Sequence, residues 1–266
     1  MFHVKHKGIQ SQEEKMDVSK QTTEQKDTEQ KFTEQLSMIG LDLSRDQLQQ
    51  FRMYYENLCK WNEVMNLTSI TEEADVYSKH FLDSLTIVAL IDPGSLSGIS
   101  LVDIGTGAGF PGLPIAIAFP ETKVTLVDSL QKRVSFLEDT VGLLGLKNVR
   151  VFHDRAEDFA RQKSNREQYD IAVSRAVAGL NVLAEYCIPF IKKGGYFIAY
   201  KADRLKEEME KGKNAIEILG GRIDQVISFK LPGTDYDRTL VQVIKENPTS
   251  GKYPRKAGTP TKNPLG

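Results

Sequence analysis

Ser100-Leu-Val-Asp-Ile-Gly-Thr-Gly-Ala-Gly-Phe-Pro-Gly112 decides the fold. Leu101, Val102 and Ile104 form a short branched apolar run, which reads as a strand of a buried parallel sheet. It stops at Gly105, Gly107, Gly109 and Gly112, residues that turn sharply and let a ligand approach the backbone. Pro111 and Pro114 suit the first turn of a helix, where a missing N–H costs nothing. Strand, glycine loop and helix together predict a nucleotide-type cofactor site at a strand's carboxyl end.

Two cofactors fit the loop. Gly107-Ala-Gly-Phe-Pro-Gly112 matches G-x-G-x-x-G, and Asp128 follows at the spacing of a dinucleotide site. The same residues read Asp103-x-Gly105-x-Gly107-x-Gly109, the pattern of S-adenosylmethionine (SAM) methyltransferases, and SAM is the favoured reading.

Downstream, strand and helix alternate, the signature of a doubly wound sheet. Lys123–Asp128 is the second strand and ends in an acid able to accept two hydrogen bonds from a ribose diol. Val149–Phe152 leads into His153-Asp-Arg-Ala-Glu157, and the strand over 169–173 delivers Ser174-Arg-Ala176 to the same edge. Gly194-Gly195 turns the chain into a strand over 196–201. A helix over 203–219 and two strands, 222–231 and 238–245, close the count at seven, the last two as a hairpin around Pro232-Gly233. The fold class is α/β, a seven-stranded Rossmann-like methyltransferase sheet over 99–246.

Upstream, Phe32, Leu36, Ile39 and then Leu48, Phe51, Tyr55, Leu58 recur at helical spacing, predicting a helical subdomain over 32–98. Ser44 with Gln47 reads as a capping box, and Thr71-Glu-Glu-Ala as a capped start for the helix carrying His80 and Asp83. Those two lie one turn apart, as a packing pair or as groups near the ligand. Residues 1–31 are polar and poor in large apolar side chains, so a disordered tail is expected. Met1–His6 also reads back, with one choice of codons, as the palindrome ATGTTTCACGTGAAACAT, a reading that the gene sequence tests.

At 266 residues and 40% hydrophobic content the chain can bury one full core and a smaller appendage. No apolar run spans a bilayer and no signal-peptide core opens the chain, so a cytoplasmic protein with no membrane partner is expected. Cys59 and Cys187 offer neither a disulfide framework nor metal spacing, and no metal is expected. A formal net charge of −1 argues against broad nonspecific nucleic-acid binding, so any basic surface must be local. Arg155, Lys201 and Arg238 fall at strand ends or loops near the expected cleft, as candidates for RNA contact. The tail 247–266 contains Lys252-Tyr-Pro-Arg-Lys-Ala-Gly-Thr-Pro-Thr-Lys262, basic and rich in Pro and Gly. An RNA-contacting arm that uses Arg255 and Lys256 is the expectation, and a strap over the domain the alternative.

The chain resembles the bacterial small-subunit ribosomal-RNA guanine-N7 methyltransferase family (RsmG, formerly GidB) from about Phe32 to its end. The resemblance rests on Trp61-Asn62, Asn66-Leu-Thr68, His80–Ser84, Asp103–Gly112, Asp154–Glu157, Ser174–Ala176 and Tyr253–Pro260. It implies a SAM-dependent enzyme whose target is a guanine in the 530 loop of 16S rRNA, free or in the small ribosomal subunit; a monomer is expected. It implies SAM contacts at Gly105, Phe110, Ala156, Glu157 and Arg175, with Asp128 on the ribose by analogy with the wider SAM fold. Guanine N7 carries a lone pair and no proton, so its methylation needs in-line approach and no general base. Arg175 is then an orienting group, and Asp170 and Ser174 are structural. A dinucleotide oxidoreductase and a noncatalytic RNA-binding assembly protein are the rival readings.

Overall fold

Two apolar faces, one on each side of a sheet, organise the chain. The computed structural model describes residues 26–175, 178–201 and 205–266. Its strands are β1 (Ser100–Ile104), β2 (Lys123–Asp128), β3 (Val149–His153), β4 (Tyr169–Arg175), β5 (Ile191–Lys201), β6 (Gly221–Lys230) and β7 (Asp237–Lys245). They form one seven-stranded sheet in the order β3-β2-β1-β4-β5-β7-β6. The first five are parallel, and β7 runs antiparallel to both neighbours, so β6 and β7 are the expected hairpin. Along β1 successive side chains alternate faces: Leu101 packs in one cluster, Val102 and Ile104 in the other. Covering both faces explains why the parallel strands read as continuous apolar runs.

The helices are α1 (26–38), α2 (Arg45–Asn62) and α3 (Glu73–Val76), which continues through a π-helical stretch, Tyr77–Leu82, into α4 (Asp83–Leu85). Then come α5 (Gly112–Ala118), α6 (Gln131–Leu143), α7 (Ala156–Phe159), α8 (Leu180–Cys187), α9 (Leu205–Ile218) and α10 (Thr259–Lys262). The amino-terminal helices share their core with α5, α6 and the sheet: Phe32, Phe51, Tyr54 and Phe81 are fully buried in one cluster with Leu113, Leu126 and Ile171. Each such aromatic contributes about 1.5–3 kcal/mol by burial, too much to leave as a loose appendage. The other face is covered by α7, α8 and α9 through Phe159, Leu183 and Ile216.

The Ser44/Gln47 capping box of α2 is present on both sides. Thr71 is not a cap; Glu72 holds the N-cap position of α3 without a side-chain bond. The polar tail expected over 1–31 lies outside the described residues up to 25, as does the reading of Met1–His6. From 26 the chain is already helical, tied by Thr33 to the Glu29 carbonyl and by Gln30 to Glu34. β5 starts at Ile191, before the two glycines. Gly195 lies so close to the Asp170 carbonyl that a Cβ there would come within 2.5 Å, so the strand passes its neighbour only with glycine. Among the described residues no helix is long and apolar enough to cross a membrane.

Candidate active site

The parallel strands deliver the carboxyl ends of β1, β2, β3 and β4 to one edge. At β1 the chain enters the glycine loop, with Gly105, Gly107 and Gly109 all at positive φ (68°, 62° and 95°). The glycines serve different ends. A Cβ on Gly109 would come within 2.5 Å of Leu113 Cδ1 and 2.7 Å of Tyr54 Oη, so this position is closed by packing. A Cβ on Gly107 would meet nothing within 4 Å, so the loop leaves open space there. Tyr54 Oη donates to the Ala108 carbonyl, pinning the loop from α2.

Asp103 is fully buried beneath the loop. Its Oδ2 accepts from Thr106 Oγ1 (2.6 Å) and from the Gly112 N–H (2.8 Å), the first amide of α5. Burial pushes its carboxyl up to about 7 against the lowering effect of those two donors. A dinucleotide pyrophosphate needs the amides at this helix start. Here a carboxylate of this chain already takes the first of them, so the loop suits a ligand without phosphates.

Asp128, at the end of β2, is 3% exposed. It accepts the Gly107 N–H (2.9 Å) and the Leu130 N–H (2.9 Å), with Arg133 Nη1 at 3.5 Å. Gly107 and Arg133 both donate to Oδ2, whereas Oδ1, which accepts the Leu130 N–H, retains a lone pair for a further donor. Asp128 lines a cleft together with Gly105, Asp154, Arg155, Ala156 and Glu157. The cleft's remaining wall is Tyr186 of α8 with Gly258 and Thr261. Sequence reasoning missed those three as site residues, since nothing local marks them.

The carboxyl-terminal segment packs onto the domain as a strap, the alternative that its basic, Pro- and Gly-rich composition leaves open. Arg166 donates to the carbonyls of Thr249 and Tyr253 (both 2.7 Å), and Arg161 to that of Pro254 (2.7 Å). Arg255 clasps Glu185, itself 1% exposed, through Nε and Nη2. The Gly258 N–H donates to Glu157 Oε1 (2.7 Å), and Tyr186 Oη pairs with Thr261 Oγ1 (2.7 Å). The buried Lys245 ammonium reaches Thr249 Oγ1 at 2.7 Å and fixes where the strap leaves β7. The composition misleads because the strap donates to the buried carboxylates of Glu157 and Glu185 and offers its own carbonyls to Arg161 and Arg166, all far away in the chain.

A second cluster lies at the end of β4. Arg175 Nη1 donates to Asp83 Oδ2 (2.9 Å), and Arg238 Nε to Asp83 Oδ1 (2.9 Å). Arg175 Nη2 lies 3.2 Å from His80 Nδ1, whose Nε2 lies 2.9 Å from Thr68 Oγ1. Asn62 Oδ1 accepts the amides of Leu67 and Thr68, so the Asn62–Thr68 loop positions His80. The His80 ring stacks on Phe110 at 4.5 Å and the Arg175 guanidinium sits over the same ring at 4.9 Å. Burial, then the Arg175 charge, lowers His80 to about 3, which makes it a neutral acceptor. His80 and Asp83 thus form one ionic network with Arg175.

The other basic candidates differ in state. Lys201 donates to the Ala178 carbonyl and pairs with Glu208 (2.6 Å). Arg238 is held by Asp83 and Arg255 by Glu185, while Arg155 and Lys256 are exposed. Asp170 sits at the opposite end of β4, bound to Ser100 and Lys192. Ser174 Oγ donates to the Ile104 carbonyl and ties β4 to β1.

A seven-stranded sheet with one antiparallel strand, a glycine loop whose first helix amide is taken by Asp103, and an acid at the end of β2 define a SAM-dependent methyltransferase. In fold the chain is similar to a solved structure of a mutant of MtNAS in complex with S-adenosylmethionine, with a TM-score of 0.51, 16% identity and coverage of 74% of this chain and 73% of that one. The family model described as rRNA small subunit methyltransferase G matches residues 47–241. Ribosomal RNA small subunit methyltransferase G of Exiguobacterium sibiricum is 52% identical over 227 residues, covering 85% of this chain and 94% of that protein. The Bacillus subtilis protein of the same name is 50% identical over 226 residues, with the same coverage. The chain belongs to the rRNA small subunit methyltransferase G family.

Proposed function

We propose that this protein transfers the methyl group of SAM to N7 of a guanine in the 530 loop of 16S rRNA, acting as a cytoplasmic monomer on the RNA or on the small ribosomal subunit. Gly105, Gly107, Phe110, Asp128, Ala156 and Glu157 hold SAM, with Gly109 packed inside the loop and Asp103 bracing it from below. Bound there, SAM supplies an electrophilic methyl carbon on sulfonium sulfur. Asp128 accepts the ribose hydroxyls, and the open space at Gly107 receives the ligand. Arg175, held by Asp83 and stacked on Phe110, orients the reacting partners.

The observation that carries this reading is the state of His80, the imidazole beside Arg175 and Phe110. A base held at about 3 cannot take a proton near neutrality, and N7 has none to give. Asp83, the carboxylate of the cluster, is held between Arg175 and Arg238, so the groups here suit an acceptor with no proton to lose. Positioning therefore carries the rate. With Arg238 bound to Asp83 and Arg255 to Glu185, the exposed Arg155 and Lys256 are the cations offered for phosphate contact. Methyl transfer from labelled SAM to small-subunit RNA from a strain lacking the enzyme tests the proposal. The label is expected on one guanine N7 of the 530 loop; label elsewhere, or none on either RNA or particle, contradicts it.

A further inference from the structure

The strap's end is built into the cleft. Thr261 and Gly258 line it with Tyr186, across from Asp128 and Ala156. The chain fixes this wall with buried groups: Glu157, 4% exposed, takes the Gly258 N–H, and Glu185, 1% exposed, takes Arg255. Gly258 sits at φ 79° directly before α10, a turn that carries Thr261 back toward Tyr186. Asn181 of α8 holds the Leu265 carbonyl (3.0 Å) beyond it, so the segment is anchored on both sides of Thr261. A buried glutamate bound only to close a tail onto the fold would serve as well anywhere on α7. Placed at the cleft's edge, it sets two hydroxyls and a backbone turn against the ligand space.

We propose that residues 258–261 form the second wall of the SAM cleft, with Tyr186 and Thr261 as positioning residues for the nucleoside end of the cofactor. This rests on the reading that SAM occupies the cleft at Asp128. The two hydroxyls share one hydrogen bond, which leaves a second O–H and lone pairs free for polar edges of a purine nucleoside. Glu157 acts through Gly258, holding the wall in place. A ligand bound against the strap and the strap itself stabilise each other.

Equilibrium titration of SAM, with the melting curve of each protein, tests the wall. Truncation after Gly258 keeps the Arg255–Glu185 and Gly258–Glu157 anchors and removes Thr261; it is expected to raise the SAM Kd about tenfold, the scale of one or two lost hydrogen bonds with their burial. Thr261→Ala and Tyr186→Phe, which leave the backbone intact, are each expected to raise it about threefold. SAM is expected to slow tryptic cleavage after Lys256 and Lys262 in the full chain. A Kd within twofold of wild type in both point variants, or cleavage indifferent to SAM, overturns the wall. Asp128→Ala measured alongside separates the readings: if it weakens binding while the strap variants do not, only the wall fails. If Asp128→Ala binds SAM as wild type does, the cleft assignment itself fails.

Discussion

The two walls of the cleft are made in different ways. One is local: the glycine loop and Asp128 lie within 26 residues of each other, between positions 103 and 128, and the bonds Asp128–Gly107 and Asp103–Gly112 run inside that span. The other joins α7 and α8 to the strap, with partners 70 to 101 residues apart in the pairs Glu185–Arg255 and Glu157–Gly258. The first is fixed by backbone conformation, the second by buried charge. A motif can thus reveal half a site while its opposite half leaves no local trace.

The largest effect is expected where the local wall is packed. Gly109→Val forces a β-branched side chain to φ 95° and into Leu113 and Tyr54. Strain and overpacking together should cost about 3–5 kcal/mol, seen as a marked fall in the unfolding midpoint. Gly107→Val is the contrasting case, because its Cβ has open space: stability should fall by only about 1–2 kcal/mol while SAM binding is lost. Equal losses of stability would erase the distinction between the two glycines.

Next in size is the distant wall. Glu185→Ala strips the Arg255 guanidinium and amide of their buried acceptor. About 2–3 kcal/mol of stability should go, moderated by the partial exposure of Arg255. The strap should become protease-sensitive while the melting of the sheet stays cooperative. Asp128→Ala, on the local wall, should weaken SAM binding by about 1–3 kcal/mol, and stability less, since two backbone amides can turn to water.

A smaller effect concerns acid. His80 is lowered from its usual 6.5 to about 3, chiefly by burial and then by the Arg175 charge. A depressed folded-state value means stability that is fully present above about 6.5 and is lost as the pH falls toward 3. Wild type should therefore lose melting temperature progressively through that window. His80→Gln should lose less over the same window, and an identical acid limb would remove His80 as its source.

How much of this was legible follows the same division. The strand order's seven members, the Ser44/Gln47 box and the loop 103–112 are short-range signals, carried by spacing of apolar residues, caps and glycines. Asp103 was legible as part of the motif but not as a brace beneath it, because orientation on a strand end depends on how α5 returns. Arg175 with His80 and Asp83 was readable only as separate motifs 92 or more residues apart. The strap was misleading: lysines and arginines look alike in sequence whether they face solvent or meet Glu185 and backbone carbonyls. Tyr186 and Thr261 had no signal, since their partnership exists only once α8 and the strap are packed.

The central claim is that methyl transfer here is driven by placement and uses no proton acceptor. Single-turnover transfer from saturating SAM, followed across the neutral range, tests it most directly. Asp103, raised to about 7 by burial, titrates within that range, but it lies under the loop, so its ionisation belongs to SAM affinity and is removed by saturation. The account predicts a flat rate, with Arg175→Ala lowering it while keeping the profile flat. A rising limb near neutrality that persists at saturating SAM and disappears on substitution of His80 would contradict the account, because a proton would then be leaving an acceptor that is not N7.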